Sequence, residues 1–200
     1  MASVSRVATT IVLTRHGETD WNRDRRFQGQ ADVVLNETGR AQVRALAATL
    51  ASERFDIAYT SPLRRAAESA EILGAALGVE VRPCDALMEV HVGSWAGLTV
   101  SEIETRFPDG HRHWVDSRAG WEDGETYDDL GIRVVEGMRR IGAAHPDAHV
   151  LAVTHGGPIR VILASIRGLP FVASRDEIRF VENCETVRVT IQGGVLEAVL

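Results

Sequence analysis

Two periodicities alternate along this chain of 200 residues, and that alternation limits the fold more than any other feature. Five apolar, mostly β-branched runs read as strands: Thr9–Thr14, Asp56–Thr60, Val79–Arg82, His149–Thr154 and Thr186–Gln192. Between them apolar residues recur at helical spacing. Over 37–51, Val43, Leu46, Ala47 and Leu50 mark one buried face, and Asn36 is placed to cap it. "SPLRRA" predicts the next helix, with Ser61 as cap and Pro62 at the first helical position. Ala66, Ala70, Leu73 and Leu77 then turn inward before Gly78 ends it. "TVSE" (99–102) and "TYDD" (126–129) have the form of capping boxes. Ile159, Ile162, Leu163 and Ile166 line a last helix, closed by Gly168 and Pro170.

Strands alternating with helices imply βαβ units, hence a mostly parallel sheet covered on both faces. "QGG" (192–194), between two apolar runs, predicts a terminal hairpin and one antiparallel strand. Residues 90–125 have weaker periodicity and read as a cap-like excursion over one edge of a single domain, 1–200.

In parallel sheets, ligands bind outside the carboxyl ends of the strands. The first run ends in "RHG", placing Arg15 and His16 side by side at the solvent edge. "SPLRRA", with Arg64 and Arg65, follows the second run, Glu89 the third, and "THGG", with His155, the fourth. Parallel strands would gather two histidines, at least two arginines and one carboxylate on one rim. Guanidinium forks and glycine-rich turns suit phosphate or carboxylate oxygens. Neighbouring positive charge keeps a histidine neutral, and a neutral imidazole is a nucleophile toward phosphorus. Glu89 is the acidic residue placed to protonate a leaving oxygen. A general acid must hold its proton among arginines, and a dianionic phosphate in the site would offset their charge.

Formal net charge is −6, 22 basic against 28 acidic side chains, which argues against nucleic acid or an anionic membrane as the main partner. No apolar run approaches the ~20 residues of a membrane span. "MASVSRVATT" lacks the apolar stretch of a signal peptide, and Cys84 and Cys184 read as free thiols, so a cytoplasmic location is expected.

"TRHGETDWN", "SPLRRAAESA", "LMEVHVGSWAGL" and "VTHGG", in this order, closely resemble the histidine phosphatase superfamily, the phosphoglycerate mutase-like proteins. "RFQGQAD" (26–32), "LNETGRAQ" (35–42) and "GETYDDLGIRV" (124–134) extend the match over nearly the whole chain. The resemblance implies a three-layer α/β/α sandwich with one antiparallel strand. It makes His16 the nucleophile that becomes phosphohistidine, and Arg15, Arg65 and His155 the clamp on the phosphoryl group. Glu89 falls on the acid/base residue, while Asn22, Gln28 and Gly29 match positions at the substrate entrance. It implies no metal and no cofactor, and a small phosphorylated metabolite as the partner; the oligomeric state stays open.

Within that family, mutases carry "WRRS" in a longer insertion, where two arginines hold a carboxylate. Here Trp114 is followed by Val115, Asp116 and Ser117. Mutases also read "HGNS" where this chain reads "HGGP" (155–158). The phosphatase branch is therefore expected, with intramolecular phosphoryl transfer as the alternative and a non-catalytic binding protein of the same fold behind it. Arg64 reads as solvent-facing, and Glu18 as a loop charge or a partner of the site. Arg23, Arg25 and Arg26 read as a solvated charged loop. Trp95, Trp114 and Trp121 read as packing, and His91, His145 and His149 as structural or surface. Pro146 spoils a helical metal pair between His145 and His149. His111 and His113 have no assigned role.

Overall fold

The computed structural model describes residues 8–116 and 121–199. The leader reading over residues 1–7, and residues 117–120 of the excursion, lie outside the described residues. Six strands form one sheet: β1 (Thr9–Arg15), β2 (Ile57–Thr60), β3 (Val81–Pro83), β4 (His149–Thr154), β5 (Thr186–Gln192) and β6 (Val195–Ala198). Their spatial order is β3-β2-β4-β1-β5-β6. The β3–β2, β2–β4 and β4–β1 pairs are parallel. β5 pairs antiparallel with both β1 and β6, so β5 alone runs against the rest, as expected. The hairpin between β5 and β6 turns on Gly193 and Gly194, whose φ values of 60° and 83° suit a glycine pair.

The helices are α1 (Asp20–Arg23), α2 (Glu37–Leu50), α3 (Arg64–Leu77), α4 (Val100–Arg106), α5 (Pro108–Asp116), α6 (Tyr127–Ala144), α7 (Gly156–Ile166) and α8 (Ser174–Glu177). β1 and β4 are central, so their apolar runs are nearly continuous rather than alternating. On one face, α2 and α3 bury Val43, Leu46, Leu50, Ala66, Ala70 and Leu73 against Val12, Ala58, Leu151 and Val153. On the other, α6 and α7 bury Leu130, Val134, Met138, Ile159 and Ile162 against Ile11, Leu13, Val150 and Ala152. That is the three-layer sandwich.

The Asn36 side chain accepts the Gly39 N–H at 2.8 Å and caps α2. Thr99 and Glu102 form the expected box at α4. Thr126 caps α6 by accepting the Asp129 N–H, and its hydroxyl goes to the Asp129 carboxylate. The start of α3 differs from expectation. Its cap position is Leu63, with no side-chain bond, and Pro62 lies outside the helix. The Ser61 hydroxyl accepts the Leu63 N–H at 3.3 Å, one turn too early to cap the helix, and also engages His155, 2.8 Å away. The third strand also begins later than predicted. Gly78 takes a left-handed conformation (φ 67°), and the Val79 N–H folds back to Gly74, delaying strand pairing to Val81. Pro83 is tolerated because β3 is an edge strand.

The excursion is anchored by an aromatic cluster. Phe27 meets Trp95, Trp114 and Trp121 edge-on, with centroids 5.8 to 5.9 Å apart. Trp95 and Trp114 are packing residues, as read. Trp121 packs here and also borders the cavity described next.

Candidate active site

Register brings the strand ends together. Arg15 pairs with Thr154 across β1 and β4, and Thr60 with Val153 across β2 and β4. The residues that follow, His16, His155 and Ser61, therefore emerge from three adjacent strands. The His16 N–H donates to the Thr154 carbonyl at 3.0 Å, and the Ser61 N–H to Val153 at 3.0 Å. The rings of His16 and His155 meet edge-on, centroids 5.1 Å apart.

Arg15 and His16 were expected to face solvent. They are buried instead, at 6 % and 2 % exposure, because the chain folds over them from three sides. Gly17 lies against α2, where a Cβ would stand 2.5 Å from the Gly39 carbonyl oxygen. Asn183 donates to the His16 carbonyl at 2.8 Å. The Cys184 N–H donates to the Arg15 carbonyl at 3.0 Å, and Arg15 Nη1 donates to the Val181 carbonyl at 2.9 Å.

The His16 tautomer follows from its partners. Nδ1 lies 2.7 Å from the Gly17 carbonyl oxygen, which can only accept, so Nδ1 carries the proton. Nε2 is left with a lone pair, and Arg65 Nε donates to it at 3.2 Å. Burial pushes the His16 pKa well below the usual 6.5, and the Arg65 and Arg15 charges push the same way. His155 is lowered likewise, by burial first and then by Arg65, His16 and Arg15. In both, desolvation outweighs the arginine charges that the sequence pointed to.

Arg65 is fully buried at the start of α3. Its Nη1 and Nη2 donate to the carbonyls of Ala31 (3.0 Å) and Gly29 (2.6 Å). Burial pushes its pKa down to about 10, which leaves it charged at neutral pH. Burial also lowers Arg15, while Glu89 opposes that shift. Among the described residues, the buried nitrogens Arg15 Nε and His155 Nδ1 have no hydrogen-bond partner. Arg64 is exposed, 3.3 Å from Asp32, as expected for a solvent-facing neighbour.

Glu89 borders the same cavity. Its Oε1 accepts the Val90 N–H at 2.9 Å and its Oε2 the Gly157 N–H at 3.3 Å. A Cβ at Gly157 would stand 2.2 Å from Oε1, so the glycine lets the carboxylate lie close against the start of α7 in this position. The cavity encloses about 580 Å³, and Arg15, His16, Arg65 and Glu89 all line it. Asn22, Gln28 and Gly29 line it too. Asn22 also holds the loop, its Oδ1 accepting the Thr19 N–H at 3.1 Å. Gly29, at φ 50°, presents its carbonyl to Arg65.

Arg160, Tyr127, Trp21, Phe180 and Glu182 also reach the cavity, and the strand-end argument missed them. A signal for Arg160 existed: it follows Gly156 by four residues and Gly157 by three, on the same face of α7. Phe180 stacks on the Arg15 guanidinium, 4.6 Å from ring centroid to Cζ. Arg25 and Arg26 border the cavity, Arg26 bound to Glu102 at 2.8 Å. Arg23 pairs with Asp20 and Asp24, as a solvated loop charge would. Glu18 accepts from Asn36 at 2.9 Å, a loop contact. His145 bonds Tyr59 at 2.8 Å, and His149 bonds the Arg54 carbonyl at 3.0 Å. Among the described residues no three His, Cys, Asp or Glu side chains gather as a metal site.

Residues 11–200 match the histidine phosphatase superfamily (branch 1). The chain belongs to that superfamily. Among its members, a glucosyl-3-phosphoglycerate phosphatase of Mycobacterium tuberculosis is 36% identical over 173 residues, covering 82% of this chain and 77% of the relative. Phosphoserine phosphatase 1 of Hydrogenobacter thermophilus is 31% identical over 161 residues, covering 80% and 76%. The solved structure of Bacillus stearothermophilus YhfR superposes with a TM-score of 0.86 at 30% identity, over 96% of each chain. The phosphoglycerate mutase-like fold expected from the motifs is the fold observed.

Proposed function

We propose that this chain is a phosphatase that hydrolyses a small phosphorylated metabolite through a phosphohistidine at His16. The observation that carries the reading is the His16 imidazole. It is buried and neutral, with Nδ1 fixed on the Gly17 carbonyl and the Nε2 lone pair against Arg65. Nε2 attacks phosphorus as the ester P–O bond breaks, and Glu89 protonates the departing alcohol oxygen. Water then gives a proton to Glu89 and attacks the phosphohistidine, releasing phosphate and returning the lone pair to Nε2. Arg15 Nε and His155 Nδ1, unpartnered donors beside His16, take phosphoryl oxygens together with Arg65. The chemistry needs no metal or cofactor. Unpaired Cys84 and Cys184 support a cytoplasmic setting.

Two relatives named for phosphatase activity on phosphorylated metabolites support hydrolysis over intramolecular transfer. So does α5, where Val115 and Asp116 follow Trp114 in place of the two arginines that mutases carry there. The test is hydrolysis of p-nitrophenyl phosphate together with uptake of labelled phosphate. His16→Ala is expected to lose both, and chelators to change neither. Glu89→Gln is expected to lower turnover of an alkyl phosphate far more than that of p-nitrophenyl phosphate, whose leaving group needs little protonation. Metal-dependent turnover surviving in His16→Ala, or equal losses on both esters in Glu89→Gln, would refute the mechanism.

A further inference from the structure

Arg160 extends into the cavity from the second turn of α7, a wall that the proposed phosphoryl chemistry leaves unused. It is tethered along one edge: Nε donates to the Ile178 carbonyl at 3.3 Å, and Nη2 to those of Ile178 (3.1 Å) and Arg175. Among the described residues its Nη1 makes no hydrogen bond, and no carboxylate lies within ion-pair distance. A half-buried guanidinium fixed on backbone carbonyls has its orientation set before any ligand arrives.

The charge balance of the cavity points the same way. Five arginines line it, against Glu89 and Glu182. Arg26 is answered by Glu102, and Arg25 is exposed at the mouth. That leaves Arg15, Arg65 and Arg160 inside with Glu89. The phosphoryl group engages the first two, and Glu89 faces the leaving oxygen as its proton donor. With Glu182 exposed at the mouth, Arg160 is then a half-buried cation whose charge is partly offset by Asp176 nearby, without an ion pair to it among the described residues, in a protein whose overall charge is −6. Tyr127 stands on the same wall at the first turn of α6 and offers a hydroxyl and a ring beside it.

We propose that Arg160 forms a second-anion subsite, so the substrates of this enzyme are phosphate monoesters carrying a further acidic group, carboxylate or phosphate, on the leaving alcohol. This rests on the phosphatase reading above and adds the substrate class. The charged group would accept from Arg160 Nη1 while the ester phosphate sits on His16.

Matched esters test it. 3-Phosphoglycerate against glycerol 3-phosphate isolates a carboxylate, and fructose 1,6-bisphosphate against fructose 6-phosphate isolates a second phosphate. The wild type is expected to favour the acidic member of at least one pair by about tenfold in kcat/KM, the scale of one charge-assisted contact. Arg160→Gln is expected to collapse that ratio through KM, and Arg160→Lys to keep part of it. Equal use of both members of both pairs by the wild type overturns the subsite, as does a uniform loss in Arg160→Gln with the ratio intact, which would mark a tether only. If Arg160→Gln does not fold, the wild-type ratio and the Lys variant decide. If no ester is turned over, the phosphatase reading fails by itself, and calorimetric binding of the same pairs still tests the subsite.

Discussion

His155 touches no solvent, and its one side-chain hydrogen bond goes to Ser61. Ser61 Oγ already accepts the Leu63 N–H at 3.3 Å, so its own proton is free to go to His155 Nε2. The ring proton then sits on Nδ1, the nitrogen with no partner, where it can be donated to a phosphoryl oxygen. Ser61→Ala is expected to release the tautomer and lower kcat about tenfold with KM little changed, read by steady-state kinetics. Residues of this kind divide by how legible they were. Arg15, His16, Arg65, Glu89 and His155 stood out because each follows a strand, and strand ends converge by topology. The Ser61 hydroxyl was assigned to helix capping because a cap position is a local signal, whereas its partner lies 94 residues away. Asn183 and Phe180 come from a stretch with no periodicity, so nothing local pointed to them.

Elements set the site through close backbone contact. The turn after β1 presses on the first turn of α2, and Gly17 and Gly39 make that approach possible. A Cβ at Gly39 would fall 2.1 Å from the Glu18 carbonyl oxygen. Gly39→Ala should therefore force the turn outward, carrying Gly17 and the carbonyl that orients His16. A cost of about 2 kcal/mol is expected from such overpacking, a fall of about 4–8 °C in Tm, with turnover reduced more than stability alone would explain. Thermal melts beside activity measured well below Tm check it. At this scale the helices and strands were readable because apolar spacing reports which face is buried. Their ends were less so: the Ser61 hydroxyl bonds one turn before α3 and to a distant histidine, and β3 starts after a left-handed glycine.

For the molecule as a whole, two neutral histidines inside the fold tie stability to pH. His16 and His155 both titrate well below 6.5 when folded, chiefly through burial, while the unfolded chain takes up protons near 6.5. Between those values the unfolded state binds more protons, so stability falls as pH falls. Each imidazole withdraws about 1.4 kcal/mol per pH unit in that window, or about 2.7 kcal/mol per unit for the pair. Glu53 and Glu185, held below the usual carboxylate range by hydrogen bonds from Arg188 and Arg179, titrate further down. Chemical denaturation from pH 6.5 to 5 is expected to show this slope, and His155→Gln to halve it. An unchanged slope in the variant would mean that another group governs acid sensitivity.

The backbone around Arg15 and His16 is completed from the far end of the chain, by Val181, Asn183 and Cys184. Those contacts span 166 and 167 residues of sequence. Fraying of residues 181–184 alone would therefore admit water to Arg15 and His16 while the strands stayed paired, so the pocket should open before the sheet does.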